Sequence, residues 1–192
     1  MIHAEILSSI EGHYGPLPKG CREVLETQTQ ILELDKGTPL VQAGQISDKT
    51  YYVAQGVARA YLLKDGRDIS DWFAFEHEFI SPIHSYFRAV PSPHFIETVE
   101  PSILLEINQS TLRHLTDTYR EFDRMEKEVV IRTFLNLQQR IASMQFESAQ
   151  QKYQSLLEMR PDITQRVPLI HIASYLGITI ETLSRIRSPK AR

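Results

Sequence analysis

The chain has 192 residues, 42% of them apolar and 23% charged, enough to bury one sizeable core and a second small one. A net charge of −3 argues against a general, charge-driven affinity for nucleic acid, and one cysteine, Cys21, excludes an internal disulfide or a four-cysteine iron–sulfur cluster. No run of about 18 apolar residues is present, and Met1 to Gly20 carries Glu5, Glu11, Pro16 and Pro18 rather than a basic leader, so neither a membrane span nor a secretory signal is expected and the protein is expected in the cytoplasm.

A helical lead-in is expected around Arg22–Gln30. From Ile31 to about Ile107 short β-type runs recur at Ile31–Leu34, Pro39–Val41, Thr50–Val53, Val57–Leu63, Ile69–Phe75 and Ile103–Ile107. Lys36-Gly37, Ala43-Gly44-Gln45, Gln55-Gly56 and Lys64-Asp65-Gly66 separate them, each with a residue that tolerates positive φ. Short, closely spaced strands predict a roll, barrel or sandwich. Asp68, Asp71, Glu76 and Glu78 are expected to alternate outward into water. Tyr51, Tyr52, Trp72, Phe73, Phe75 and Phe79 are expected as core and rim.

From about Ser110 the period changes to three and four, through Leu115, Tyr119, Phe122, Met125 and Val129, then, after a one-residue phase shift, Val130, Phe134, Leu137, Ile141 and Met144. With no Pro or Gly from Thr111 to Arg160, this predicts one long amphipathic helix, or two with a break near Glu147–Gln151. Some 30 helical residues span about 45 Å, more than a small domain covers. A parallel homodimer is therefore expected through Phe122, Met125, Val129, Phe134, Leu137 and Ile141. The alternative is a helix packed along its own domain.

A short helix over Lys152–Met159 and a loop at Pro161-Asp162 precede a final helix pair from Pro168. A tight helix crossing needs a small residue at the contact, a turn residue of positive φ and apolar residues inside. Ala173, Gly177 and the set Ile172, Leu176, Ile178, Leu183 and Ile186 supply them. Thr179 can N-cap the second helix, although Thr182 denies it a full capping box. Opposite Leu183 lie Glu181, Ser184, Arg185 and Ser188, with Ile180 at the rim. Arg can read guanine, Glu can accept from cytosine, and Arg187 and Arg166 suit phosphate. Residues 160–192 carry +4, leaving −7 on the rest, as for a basic binding module on an acidic partner. Ser188-Pro189 should end the helix by about Ser188, with no wing expected beyond it, so contacts would rest on the helix, the Arg166 loop and a basic tail at Lys190 and Arg192.

Gln165-Arg-Val-Pro168, Ile172-Ala-Ser-Tyr-Leu-Gly-Ile178 and Glu181-Thr-Leu-Ser-Arg-Ile-Arg187 resemble the DNA-binding end of Crp/Fnr-family regulators, particularly the short Bacteroidetes type. Gly44, Tyr51-Tyr-Val-Ala-Gln-Gly56 and Phe73-Ala-Phe-Glu-His-Glu-Phe79 resemble the family's cyclic-nucleotide-binding-type β-roll. The resemblance covers nearly the whole chain. It implies an α+β protein: a jelly-roll sensor over residues 1–115, a dimerisation helix over 116–148 and a helix-turn-helix domain over 149–192. It also implies base reading by Glu181 and Arg185.

The family's phosphate cassette, approximately Phe-Gly-Glu and later Arg-(Ser/Thr)-Ala, is replaced here by Phe79-Ile-Ser-Pro82 and Pro91-Ser-Pro-His-Phe-Ile-Glu97. Without the arginine, a buried phosphate loses a bidentate charge-assisted pair. Cyclic AMP is therefore not expected to bind. The candidate pocket is Phe79, Ile80, Ser81, Arg88, His94 and Phe95, open to another effector or to none, and no cofactor is expected.

Other chemistries are less well supplied. Among seven histidines no pair has cupin spacing, leaving His77 and His84, with Glu76 and Glu78, as an alternative metal or haem site. There is no nucleophile elbow and no phosphate-binding glycine loop. The expected function is a homodimeric regulator of transcription that binds an inverted repeat in double-stranded DNA, with RNA polymerase and a small-molecule effector as further partners and no enzymatic activity. The alternatives are a ligand-binding or protein-interaction β-roll with a vestigial helix-turn-helix and, more distantly, a cupin-like enzyme.

Overall fold

The computed structural model describes residues 2–188. Helices α1 (His3–Tyr14) and α2 (Lys19–Gln28) lead into eight strands: β1 (Gln30–Leu34), β2 (Pro39–Val41), β3 (Lys49–Gln55), β4 (Ala58–Lys64), β5 (Arg67–Ala74), β6 (Phe79–Ile80), β7 (Phe95–Thr98) and β8 (Ser102–Asn108). Helix α3 (Ile83–Arg88) interrupts them. After β8 come α4 (Gln109–Thr118), α5 (Arg120–Phe146), α6 (Ala149–Met159), α7 (Ile163–Arg166), α8 (Leu169–Tyr175) and α9 (Ile180–Arg187). Among the described residues no helix is long and apolar enough to cross a membrane.

The strands form two antiparallel four-stranded sheets, ordered β1-β8-β3-β6 and β2-β7-β4-β5. All six expected strands are present. The expected lead-in helix begins earlier, at Lys19. Between the sheets lie Val41, Tyr51, Val53, Ala58, Ala74, Ile96 and Leu104. Alternation along β3 turns Tyr52 and Ala54 the other way, where they meet α1, α2, α4 and the start of α5 in a second core. That explains why β3 is apolar on both faces rather than alternating.

The expected long helix is divided at Tyr119, whose backbone is extended (φ −121°, ψ 112°), so α4 and α5 are separate. The break foreseen near Glu147–Gln151 is present: Glu147 leaves the helix, and Ser148 caps α6 with Gln151 in a reciprocal capping box.

Helix α5 divides into two stretches of different fate. Phe122 and Met125 are buried in the second core against α1, α2 and β3, which corrects their assignment to a dimer seam. Val129 and Leu137 are half-buried. Phe134 and Ile141 stand 64% and 58% exposed, in a stripe continued by Val130, Ile131 and Leu135. Among the described residues nothing covers the stripe.

Candidate nucleic-acid interface

The helix-turn-helix is built from short-range instructions. The amide of Ile178 donates to the carbonyl of Ala173, and Gly177 takes φ 67°, the left-handed turn that a side chain would strain. Ile172, Ala173, Leu176 and Leu183 are buried within the crossing. Thr179 caps α9, its hydroxyl accepting from the amide of Thr182 at 3.2 Å, with no capping box. With Leu183 fixing the inner face, Glu181, Ser184, Arg185, Arg187 and Ser188 are exposed, and Ile180 lies at the rim, 37% exposed. The helix N-terminus holds the Glu181 carboxyl below the ordinary range, chiefly through a backbone amide, then through the Thr179 hydroxyl. Ser188, where the helix ends, donates to the carbonyl of Ser184. The basic tail at Lys190 and Arg192 lies outside the described residues.

Arg166 is elsewhere. Rather than meeting solvent and phosphate, its guanidinium is held by Glu76 (2.6 and 2.9 Å), Glu100 and Asp162. Its hydrogen bonds to these carboxylates, Glu76 first, raise its pKa. In the free chain the side chain expected to suit phosphate thus clamps the helix-turn-helix to the roll.

The clamp extends across the outer face of the second sheet. On that face Arg59 of β4 lies opposite Phe73 and Glu97 in register. Such a residue on a bare roll would be solvated. Here α8 covers it, leaving the side chain 3% exposed. Asp68 takes it in a fork at 2.6 and 2.7 Å, Glu97 accepts at 2.7 Å, and Nδ1 of His171 accepts at 2.9 Å. Burial lowers the Arg59 pKa, but bonds to Asp68 and Glu97 outweigh it and the net shift is upward. Ser174 completes the joint, accepting from the amide of Ser70 and donating to the carbonyl of Asp68.

Asp71 receives Arg140 of α5 at 2.9 Å, and Glu78 pairs with Arg160. The four carboxylates expected to face water, Asp68, Asp71, Glu76 and Glu78, therefore each hold an arginine. An apolar seam runs beneath them: Val57, Phe73, Phe75 and Val99 of the roll share one core with Leu156, Ile163, Val167, Ile172, Ala173, Leu176 and Leu183. The helix-turn-helix and the roll are thus joined by a common core.

The candidate ligand residues do not converge. Ile80 points between the sheets, whereas Phe79 packs on the opposite side against Tyr52 and Tyr14. Ser81 is half-buried and Arg88 is exposed at the end of α3. His94 bonds Asp71 at 3.1 Å, and Phe95 stacks on Tyr61. His77 stacks on His13 with ring centres 3.6 Å apart, while His84 is exposed on α3. Among the described residues no group of three or more His, Cys, Asp or Glu is arranged to hold a metal ion. Cys21 is buried, and burial pushes its thiol up to about 12, away from thiolate chemistry.

Residues 31–119 match the family described as the cyclic nucleotide-binding domain. No curated protein matches the chain in sequence. Among solved structures it is similar to FixK2 from Bradyrhizobium japonicum, at 19% identity over 82% of each chain with a TM-score of 0.70. It is also similar to CooA from Carboxydothermus hydrogenoformans, at 17% identity over 97% of this chain and 82% of that one, TM-score 0.70. A third similarity is to a protein assigned to the Crp/Fnr family of transcriptional regulators from Eubacterium rectale, at 19% identity over 88% of this chain and 82% of that one, TM-score 0.69. Residues 31–119 are thus similar to the cyclic nucleotide-binding domain family, and the chain has the fold seen in these Crp/Fnr-type structures.

Proposed function

We propose that the protein is a homodimeric, sequence-specific DNA-binding regulator of transcription. The observation that carries this reading is α9: a helix capped at Thr179 and buried through Leu183, which presents Glu181, Ser184 and Arg185 outward. Those side chains are of the types that read base edges in a major groove, and Arg187 suits phosphate. The bare stripe of Val130, Ile131, Phe134, Leu135 and Ile141 on α5 supports pairing with a second copy. Such pairing would place two recognition helices about 34 Å apart, on an inverted repeat. No catalytic step is assigned to the chain.

The roll is read as a sensor that does not take cyclic AMP. Tyr51 and Leu104 fill the space between its sheets, and the only arginine among the candidate pocket residues, Arg88, faces solvent. Replacing Arg185 by Ala tests the DNA reading: specific binding weakens by about 1–3 kcal/mol if the side chain reads a base. Unchanged binding would favour the alternative, an interaction module with a vestigial helix-turn-helix.

A further inference from the structure

A cavity of about 380 Å³ lies where β5, α5, α6 and α8 meet. That is the size of a small-molecule site, typically about 300–1,000 Å³. Trp72, Phe73, Phe75 and Tyr175 give it aromatic walls, and Met144 and Leu156 add apolar surface. Its charged lining is unbalanced: Arg140, Lys152 and Arg160 stand against Glu78 and Glu147. Burial also raises the Glu78 pKa, weakening that carboxylate as a counter-charge.

The cations are not fully used. Lys152 donates to the carbonyl of Met144 at 3.2 Å, leaving two N–H groups of its ammonium. Arg140 commits its two terminal nitrogens to Asp71 and to the carbonyls of Ser70 and Tyr175, while its Nε is buried without a partner. Among the described residues that Nε is the one buried side-chain polar atom so left. Arg140 lines the cavity, so its incompletely satisfied guanidinium adds positive potential to the wall.

We propose that this cavity binds a small planar monoanion, an aromatic carboxylate or sulfonate, whose ring lies among the aromatic walls and whose charge meets Lys152 and Arg140. Because roll, long helix and helix-turn-helix each supply a wall, the occupant binds the docked arrangement better than any other and shifts the population toward it. That regulatory consequence rests on the reading as a DNA-binding regulator; the binding itself does not.

Trp72 is the only tryptophan in the chain and lines the cavity, so its emission reports occupancy. The probes are 1-anilinonaphthalene-8-sulfonate and N-phenyl-1-naphthylamine, the same ring system without the anion, titrated into the full-length protein. The sulfonate should quench Trp72 saturably, at one site per chain, and bind about tenfold tighter than the neutral probe, as a partly buried charge contact supplies. Lys152→Glu should remove the preference, Lys152→Arg should keep it, and Phe134→Glu, on the exposed stripe, should leave it unchanged. Equal affinity for the two probes, or a preference that survives Lys152→Glu, overturns the proposal. So does sulfonate binding lost with Phe134→Glu. None of these readings involves DNA, so they stand or fall separately from the regulator assignment.

Discussion

The guanidinium of Arg59, on β4, donates to Nδ1 of His171, on α8, at 2.9 Å, although the two residues are 112 apart in sequence. Arginine has no acceptor, so the imidazole must accept at Nδ1, and its single proton sits on Nε2. A protonated His171 would lose that bond and set a second cation against one already buried. Burial, then Arg59, lowers the His171 pKa; Asp68 and Glu97 oppose the shift, and Lys36 adds to it.

The docked helix-turn-helix therefore binds fewer protons at His171 than an undocked one. Its contribution is complete above the ordinary histidine pKa of about 6.5 and is lost as the pH falls through the depressed value. Glu78 acts in the opposite sense: its raised pKa favours docking at low pH and weakens it as the carboxyl ionises. Hydrogen exchange at the Ser70 amide, which Ser174 holds, should show protection falling as the medium is acidified below neutrality, after correction for the intrinsic rate. His171→Gln, which can still accept from Arg59, should flatten that fall. The same decline in both proteins would mean that His171 does not set it.

Arg166 offers a contrast between two roles. Held by Glu76 and Glu100 of the roll and by Asp162, it should cost about 2 kcal/mol of stability when replaced by Ala, given its partial exposure. Denaturant titration measures this. The salt dependence of DNA binding should keep its slope. A slope lower by about one would instead mean that Arg166 leaves its carboxylates for a phosphate in the complex.

Two phenylalanines of α5 should fail differently. Phe134→Glu, at an exposed position, should raise the dimer dissociation constant roughly thirtyfold or more, the effect of about 2 kcal/mol at a hot spot, while each chain stays folded. Phe122→Ala empties the core beneath β3 and should destabilise the roll by about 3–5 kcal/mol. Sedimentation at several concentrations, alongside thermal unfolding, separates the outcomes. A Phe134→Glu dimer as tight as the parent would remove the stripe from the interface.

What the sequence made legible was local. Gly177, Ala173, Leu183 and the Thr179 cap follow from contacts within a few residues, and the six strands from apolar runs between turn glycines. Two strands escaped: β6 has two residues, and β7 follows Pro91 and Pro93 with Glu97 in its middle. The period of α5 was visible, and so was its one-residue phase shift after Val129, but only the covering elements α1 and α2 show that Phe122 is core and Phe134 bare. The joint between roll and helix-turn-helix was hidden because its partners lie far apart; Arg166 reaches Glu76 across 90 positions. One signal did exist. The +4 of the C-terminal segment faces an acidic roll, and in the free chain Arg160 and Arg166 pair with Glu78 and Glu76 of that roll.

Sequence-specific recognition of DNA is tested by selecting from random duplex DNA with the purified protein, at two salt concentrations and with and without cyclic AMP. An enriched inverted repeat with half-sites about one helical turn apart, bound less tightly as salt rises and indifferent to cyclic AMP, is the predicted result. Enrichment of no sequence at either salt concentration, by a protein shown to be folded and dimeric, would contradict it.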